Sequence, residues 1–170
     1  MKYGALSTLI VTILFLVLPR IGFTQATDVQ PEQEVLSKPY HPDANAQADI
    51  DSLVQLSQQD GKHIVIQAGG NWCVWCLRFN AFIQQNTRVR DLLKDHFHYY
   101  HLNYSPENKN EKVFQKYAPG KGEEFGYPFF IVLNADGEVL TTRESGNLEE
   151  GKGYNEQQVL HFFQQWLPGK

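Results

Sequence analysis

Two cysteines three positions apart are the residues of this chain best suited to chemistry. Cys73 and Cys76 are the only cysteines among the 170 residues, and Val74 and Trp75 separate them. A disulfide that closes so small a loop removes little entropy from the unfolded chain, so it would add little stability. The spacing therefore favours reversible chemistry, in which a thiolate attacks a disulfide and a second thiol releases the product.

The segments on either side of the pair predict where the two thiols lie. A β-branched run from His63 to Ala68 is typical of a buried strand, and an amphipathic pattern that starts at Cys73 predicts a helix. The free N–H groups and the positive dipole at a helix N-terminus stabilise a thiolate. We therefore expect Cys73 to be the nucleophile, and Cys76, one turn deeper, to be the shielded resolving thiol.

Hydrophobic periodicity predicts an alternation of helices and strands along the rest of the chain. The predicted order is helix, strand, helix, strand, helix, strand, strand, helix, and the first helix is expected to begin after an N-cap at Asp43. Residues 119–126 are expected to be a glycine-rich loop. A strand–helix–strand unit favours parallel pairing, and the last two strands form a hairpin. The sequence thus predicts an α/β sandwich, with helices on both faces of a mixed sheet.

Residues 1–26 have the pattern of a secretory signal peptide. A positive charge precedes an apolar run at residues 5–18, and small residues precede a cleavage point after Ala26. The run is short for a membrane span, and an uncleaved anchor formed by residues 5–18 is the alternative. We expect an exported protein, periplasmic or secreted, in which residues 27–42 are an extended linker and residues 43–170 form the folded domain.

Composition, charge and the number of cysteines argue against nucleic acid, a metal ion and a separate cofactor. Hydrophobic residues make up 42% and charged residues 20% of the chain, which is ordinary globular usage. The net charge is −4 and there is no run of Lys or Arg, so nucleic acid is not an expected partner. Zinc requires four ligands, and no second cysteine pair supplies them, so no metal site is predicted. No cofactor is expected, because the cysteine pair itself carries the electrons.

Residues around the cysteine pair resemble the thioredoxin superfamily. Within it, the stretches 103–108 and 126–137 are similar to the exported bacterial thioredoxin-like proteins of thiol–disulfide interchange. The resemblance covers about residues 45–167 in the order of elements, and the features that match are Ile64–Ala68, Trp72 directly before the cysteines, and Tyr127-Pro128 ahead of the last strands. It implies a three-layer sandwich whose mixed sheet has central parallel strands and a C-terminal β-hairpin, and a protein-disulfide oxidoreductase activity.

The same resemblance implies a substrate-binding surface next to the cysteines. Pro128 matches the cis-proline of the family, which exposes the backbone of the preceding residue, Tyr127, to pair with an extended substrate chain. Trp72 and Trp75 flank the nucleophile. We expect Trp72 to combine packing with docking, and Trp75 to offer a contact surface for the substrate.

Positions near the pair depart from the usual thioredoxin pattern. Many thioredoxins bury an acid six residues before the first cysteine, where it helps to move the proton of the resolving thiol; here Gln67 stands there and cannot titrate. Asn71 is expected to support the site, either by lining it or by capping the helix. Gly69 and Gly70 replace larger residues, which either opens the site or eases the turn.

Two functions of different class are consistent with these observations. The first is an exported thiol–disulfide oxidoreductase, a reductant or mild exchanger in preference to a strong oxidant, because Val74 and Trp75 add no positive charge to stabilise a thiolate. Its partners would be protein or peptide disulfides and an upstream thiol electron donor, with membrane contact only through an uncleaved signal segment. The second is a non-catalytic thioredoxin-like binding module, either a chaperone or a metal carrier.

Overall fold

Apolar segments form one central sheet in a computed structural model of the chain, which describes residue 1 and residues 32–169. The sheet has four strands and a separate ribbon has two: β1 (His63–Gly69), β2 (Phe97–Asn103), β3 (Phe129–Leu133), β4 (Val139–Glu144), and then β5 (Glu149–Glu150) with β6 (Gly153–Tyr154). The strand order is β2-β1-β3-β4. β1 pairs with β2 in parallel, whereas the β1–β3 and β3–β4 pairs are antiparallel. The parallel pairing and the hairpin predicted from the sequence are both confirmed, and the two central strands run antiparallel to each other.

Helices cover both faces of the sheet. They are α1 (Glu32–Val35), α2 (Ala46–Asp60), α3 (Val74–Gln85), α4 (Thr87–His96), α5 (Glu111–Tyr117), α6 (Lys121–Phe125) and α7 (Glu156–Gln164). Successive strand residues point to opposite faces. Ile64 and Ile66 therefore pack with α2 and α5, whereas Val65 and Phe130 pack with α3, α4 and α7. The predicted three-layer α/β sandwich is confirmed.

Two local predictions differ from the structure. Asn45, and not Asp43, is the N-cap of α2, because its side-chain oxygen accepts a hydrogen bond from the N–H of Ala48 at 3.2 Å. The segment 119–126 is not a loop throughout, since it contains α6. Its glycines mark the two ends of this helix, where Gly120 and Gly126 adopt positive φ angles of 71° and 70°.

The segment before α2 packs against the domain instead of extending away from it. Glu32 in α1 pairs with the guanidinium of Arg78 in α3 through contacts of 2.8 and 2.6 Å, and Tyr40 is 1% exposed. The predicted signal segment and residues 27–31 of the predicted linker lie outside the described residues. Within the part of the chain that the structure describes, no helix is long and apolar enough to cross a membrane.

Candidate active site

The two cysteines are joined by a disulfide between the end of β1 and the start of α3. The N–H of Cys73 donates to the carbonyl of Gly70 at 3.0 Å, which closes a tight turn after the strand. Cys73 is the N-cap of α3, and its sulfur accepts a hydrogen bond from the N–H of Cys76 at 3.1 Å. Cys73 is 6% exposed and Cys76 is fully buried, so Cys73 lies nearer to the surface than Cys76.

The loop that leads into β3 faces the disulfide. The carbonyl oxygen of Tyr127 lies 3.5 Å from Sγ of Cys73, although the two residues are 54 positions apart in the sequence. Pro128 is buried, and the peptide bond between Tyr127 and Pro128 is cis. The structure therefore brings together the cysteine pair and the proline loop singled out from the sequence.

Trp72, Tyr104 and Tyr127 form an aromatic rim on this side of the disulfide. The indole N–H of Trp72 donates to the carbonyl of Tyr104 at 2.6 Å, and its ring meets that of Tyr127 edge to face at 5.6 Å. Tyr104 stacks on Tyr127 at 5.2 Å, and both line a groove of about 600 Å³ together with Phe114. Trp72 is 48% exposed, so the rim offers a rigid apolar surface to solvent. Sequence reasoning did not single out Tyr104.

Trp75 has different surroundings from Trp72. Its ring meets Tyr154 edge to face at 5.9 Å, and the guanidinium of Arg78 lies 4.7 Å from its centroid. The hydroxyl of Tyr154 donates to the carbonyl of Trp75 at 3.0 Å. Arg78 and Glu32 form an ion pair at 2.6 Å, and the hydrogen bond from Arg78 lowers the pKa of Glu32. Trp75 is therefore partly covered. Arg78, the first basic residue after the two cysteines in the sequence, is bound to the carboxylate of Glu32.

A buried hydrogen-bond network lies behind the disulfide, centred on Gln67 of β1. The amide NH₂ of Gln67 donates to the carbonyl of Cys76 at 3.1 Å and to the hydroxyl oxygen of Tyr40 at 2.7 Å. Its amide oxygen accepts from the hydroxyl of Tyr99 at 2.6 Å. A carbonyl can only accept, so the Cys76 carbonyl fixes which end of the amide faces it. Gln67 thus connects α3, at the cysteine pair, to β2 and to the segment before α2.

Tyr40 is another residue of this site that sequence reasoning missed. It packs against both cysteines, and Asn71 holds its backbone from both sides. The side-chain oxygen of Asn71 accepts from the N–H of Tyr40 at 3.1 Å, and its side-chain N–H donates to the carbonyl of Tyr40 at 2.8 Å. Asn71 therefore fastens the segment before α2, while Cys73 is the cap of α3. The available sequence signal was one aromatic side chain in a polar, proline-containing segment.

His101 lies next to Tyr40 and is the strand partner of Gln67 in the parallel pairing of β1 and β2. Its ring meets the rings of Tyr40 and Tyr99 edge on, at 5.2 Å in each case. Its Nε2 atom is buried and has no hydrogen-bond partner among the described residues. Burial, with a smaller effect of nearby His41, lowers the pKa of His101 to about 4, so the ring is neutral at pH 7. Within residues 32–169, no group of three or more His, Cys, Asp or Glu side chains is placed to hold a metal ion.

Gly69 and Gly70 permit close packing on both sides of the chain. A Cβ atom on Gly69 would lie 2.5 Å from Sγ of Cys76 and 2.7 Å from the hydroxyl oxygen of Tyr40, closer than such atoms can pack. On Gly70 it would lie 2.7 Å from the carbonyl oxygen of Tyr104. The glycines do not open the site, because the space that a side chain would need is filled by its own residues.

The fold is a three-layer α/β sandwich, and the cysteine pair lies at the start of the helix that follows the first strand, opposite a cis-proline loop. These features define the class of thioredoxin-fold proteins with a dithiol–disulfide site. Comparison with known proteins gives the same class. A family model described as thioredoxin-like matches residues 45–135, which is more than half of the chain. The chain belongs to this thioredoxin-like family.

Individual proteins also resemble the chain. It is 27% identical over 93 residues to the disulfide bond reductase DsbH of Chlamydia pneumoniae, a match that covers 51% of this chain and 55% of that protein. The match thus spans little more than half of the curated relative. The crystal structure of a disulphide isomerase from Xylella fastidiosa Temecula1 has the same fold, with a TM-score of 0.66 and 24% identity over 77% of this chain and 98% of that one.

Proposed function

We propose that this protein is a thiol–disulfide oxidoreductase in which Cys73 is the nucleophile and Cys76 the resolving thiol. The observation that carries the proposal is the difference between the two sulfurs: Cys73 is the accessible N-cap of α3, and Cys76 is fully buried one turn later. A helix N-terminus stabilises a thiolate and a substrate can reach only the outer sulfur, so the two thiols are suited to different steps.

The reaction proceeds by two thiol–disulfide exchanges. The thiolate of Cys73 attacks one sulfur of a substrate disulfide, which gives a mixed disulfide and releases one substrate thiol. Cys76 then attacks Sγ of Cys73, the bond to the substrate breaks, and the second substrate thiol leaves as the Cys73–Cys76 disulfide forms. An upstream thiol donor returns the pair to the reduced state.

The substrate class in this proposal is a protein or peptide disulfide. The carbonyl of Tyr127 lies close to Cys73, where an extended chain could form backbone hydrogen bonds. Trp72 and Tyr127 provide apolar contact through the aromatic rim, and Trp75 contributes the part of its ring that Arg78 and Tyr154 leave uncovered. Pro128 belongs to the same loop as Tyr127 and completes this substrate-binding surface.

The direction of electron flow in this proposal is reduction, or mild exchange. A strong oxidant requires a much-depressed thiolate pKa, and Arg78 is bound to Glu32 while His101 is neutral. The helix dipole then contributes about 0.3–2 kcal/mol, which lowers the pKa of the Cys73 thiol by roughly one unit. The relative from Chlamydia pneumoniae is named a disulfide bond reductase, which supports the same direction here, although the match covers only 55% of that protein.

Export to the periplasm or beyond the cell is also part of the proposal. It is supported by the signal-peptide pattern of residues 1–26, with membrane attachment through residues 5–18 as the alternative. Processing is measured by N-terminal sequencing of the protein recovered from the cell envelope, where a start at residue 27 supports cleavage. An intact segment in the membrane fraction would indicate an anchor instead.

Insulin reduction in the presence of a thiol reductant tests the oxidoreductase activity. The native chain should show turnover, Cys73→Ser should show none, and Cys76→Ser should accumulate mixed disulfides on Cys73. Absence of turnover in the native chain would favour the binding module instead. Titration in glutathione buffers should give a potential nearer to that of thioredoxin, about −270 mV, than to that of the strong oxidant DsbA, about −120 mV.

A further inference from the structure

The hydroxyl group of Tyr40 has a hydrogen that the network behind the disulfide does not use. Its oxygen accepts a hydrogen bond from the amide NH₂ of Gln67, whose own oxygen is occupied by the hydroxyl of Tyr99. Among the described residues, no acceptor pairs with the hydrogen of Tyr40. Nε2 of His101 is unpartnered too, and the contact between these two residues is ring to ring.

The sulfur of Cys76 and this hydroxyl lie on the same side of Gly69. Both atoms border the small space next to Gly69, where a Cβ atom would lie 2.7 Å from the Tyr40 oxygen and 2.5 Å from the sulfur. Tyr40 and Cys76 also belong to one packed cluster with Cys73. Because Gln67 donates to the oxygen of Tyr40, the hydroxyl hydrogen is directed elsewhere, and the sulfur of Cys76 is an acceptor in the same packed cluster.

Cys76 requires such a donor because its surroundings disfavour a thiolate. The residue is fully buried, and burial in apolar surroundings raises the pKa of a thiol. The titratable side chains around it and Tyr40 are Cys73 at the N-cap of α3, Tyr99 and His101 on β2, Tyr127 before β3, and Tyr154 of β6. All of these are uncharged at neutral pH once Cys73 is in a mixed disulfide. Gln67 occupies the place of a buried acid and bears no charge.

We propose that Tyr40 is a catalytic residue whose hydroxyl donates a hydrogen bond to Sγ of Cys76 and stabilises its thiolate during resolution of the mixed disulfide. This inference rests on the proposed function. The Cys76 thiol gives up its proton to water, its thiolate forms the bond to Sγ of Cys73, and the bond from Cys73 to the substrate sulfur breaks. The departing substrate thiolate takes a proton back from water, and Tyr40 keeps its own proton throughout.

A small aromatic disulfide, 5,5′-dithiobis(2-nitrobenzoate), separates the two steps. Mixed with the reduced native chain, it releases one coloured thiol as Cys73 attacks and a second as Cys76 resolves. Tyr40→Phe should slow the second release about tenfold, as expected for the loss of a hydrogen bond to a charged sulfur, and leave the first nearly unchanged. The pH midpoint of the second release should rise by about one unit.

Tyr100→Phe is the matched control, because its hydroxyl donates to Asp49 at 2.9 Å, away from the cysteines. Both releases should be unchanged in this variant. Equal second-phase rates in Tyr40→Phe and the native chain would overturn the proposal. So would equal slowing in the two variants, which would reflect a general loosening of the fold.

A second measurement covers the case in which Tyr40→Phe fails to fold. In Cys73→Ser, with Tyr40 intact, the thiol of Cys76 should titrate at or below the value of free cysteine, about 8.5, despite its burial. A markedly higher value would refute the role of Tyr40. A second release that depends on Tyr40, without insulin turnover, would refute the proposed function alone. Insulin turnover with a second release that does not depend on Tyr40 would refute this inference alone.

Discussion

The two sides of the Cys73–Cys76 disulfide are built from similar aromatic side chains but in opposite ways. In front, the aromatic rim is open to solvent and its rings contact one another, with one hydrogen bond from Trp72 to a backbone carbonyl. Behind, Tyr40 and Tyr99 are tied to Gln67 by their hydroxyls in a buried network. The aromatic rim, in front of the disulfide, is therefore suited to transient contacts with a substrate. The Gln67 network, behind it, is suited to holding the sulfur of Cys76 in place.

This difference predicts how substitutions divide between stability and activity. When a buried donor or acceptor loses its partner, the protein loses about 1–3 kcal/mol of stability, because the group stays desolvated without a hydrogen bond. Removing an exposed ring changes the free energy of unfolding much less. Changes behind the disulfide should thus lower the free energy of unfolding, and changes in front should lower substrate turnover.

Gln67→Leu should have the largest effect on stability. It leaves the hydroxyl of Tyr99 without its acceptor and the hydroxyl oxygen of Tyr40 without its donor, so we expect a loss of about 3 kcal/mol. Urea unfolding of the oxidised protein measures this loss. Gln84→Leu, at an exposed position of α3, is the control and should change the free energy of unfolding by less than about 0.5 kcal/mol. Similar losses in the two variants would contradict the network.

The acid sensitivity of the back of the site should depend on His101. Its pKa is about 4 in the folded protein and about 6.5 when unfolded, so the unfolded state binds the extra proton between these values. The free energy of unfolding should therefore fall as the pH drops from 6.5 to 4, by up to about 3 kcal/mol. Comparing the native chain with His101→Phe across this range isolates the effect, and parallel pH profiles would exclude it.

Asn71→Ala should release the segment that carries Tyr40. The variant loses two hydrogen bonds to the backbone of Tyr40, so we expect a loss of about 1–2 kcal/mol and faster amide exchange around residue 40. Exchange measured by mass spectrometry locates the change. Asn147→Ala, whose side chain is exposed, is the control. Unaltered protection around residue 40 in Asn71→Ala would show that the segment is held by other contacts.

Trp72→Ala should have the smallest effect, and one confined to substrate handling. Loss of its ring from the aromatic rim should lower kcat/KM for a peptide disulfide about five- to tenfold, which corresponds to about 1 kcal/mol. The two releases from the small aromatic disulfide should change little. Leu140→Ala, which removes an exposed apolar side chain from β4, should leave kcat/KM unaltered. A large loss of stability in Trp72→Ala would show that the front also supports the fold.

Sequence patterns predicted the elements well where one physical rule decides them. The run from 97 to 103 and the hairpin after residue 128 are defined by alternation and turn residues, and the N-terminal position of Cys73 on α3 follows from the break after β1. The chemistry of the pair was readable because two cysteines at this spacing have few other uses. What periodicity could not predict is Tyr40, which is buried by tertiary contacts of a segment that has no amphipathic pattern.

The same limit applies to Asn71 and Gly69. Each makes sense only beside a residue far away in the sequence, since Asn71 binds the backbone of Tyr40 and Gly69 faces its hydroxyl. The absence of an acid at residue 67 was visible in the sequence. The packing of Tyr40 against Cys76 was not, because Tyr40 comes from a separate segment, before α2. Local rules therefore describe the front of the site better than the back.

The close packing at Gly69 also has a consequence for how this family can diverge. A side chain at residue 69 and the ring of Tyr40 would compete for the same volume next to Cys76. Homologues should therefore change the two positions together: those with a larger residue in place of Gly69 should lack an aromatic residue in place of Tyr40. A large alignment in which the two positions vary independently would show that the backbone can shift to accept both.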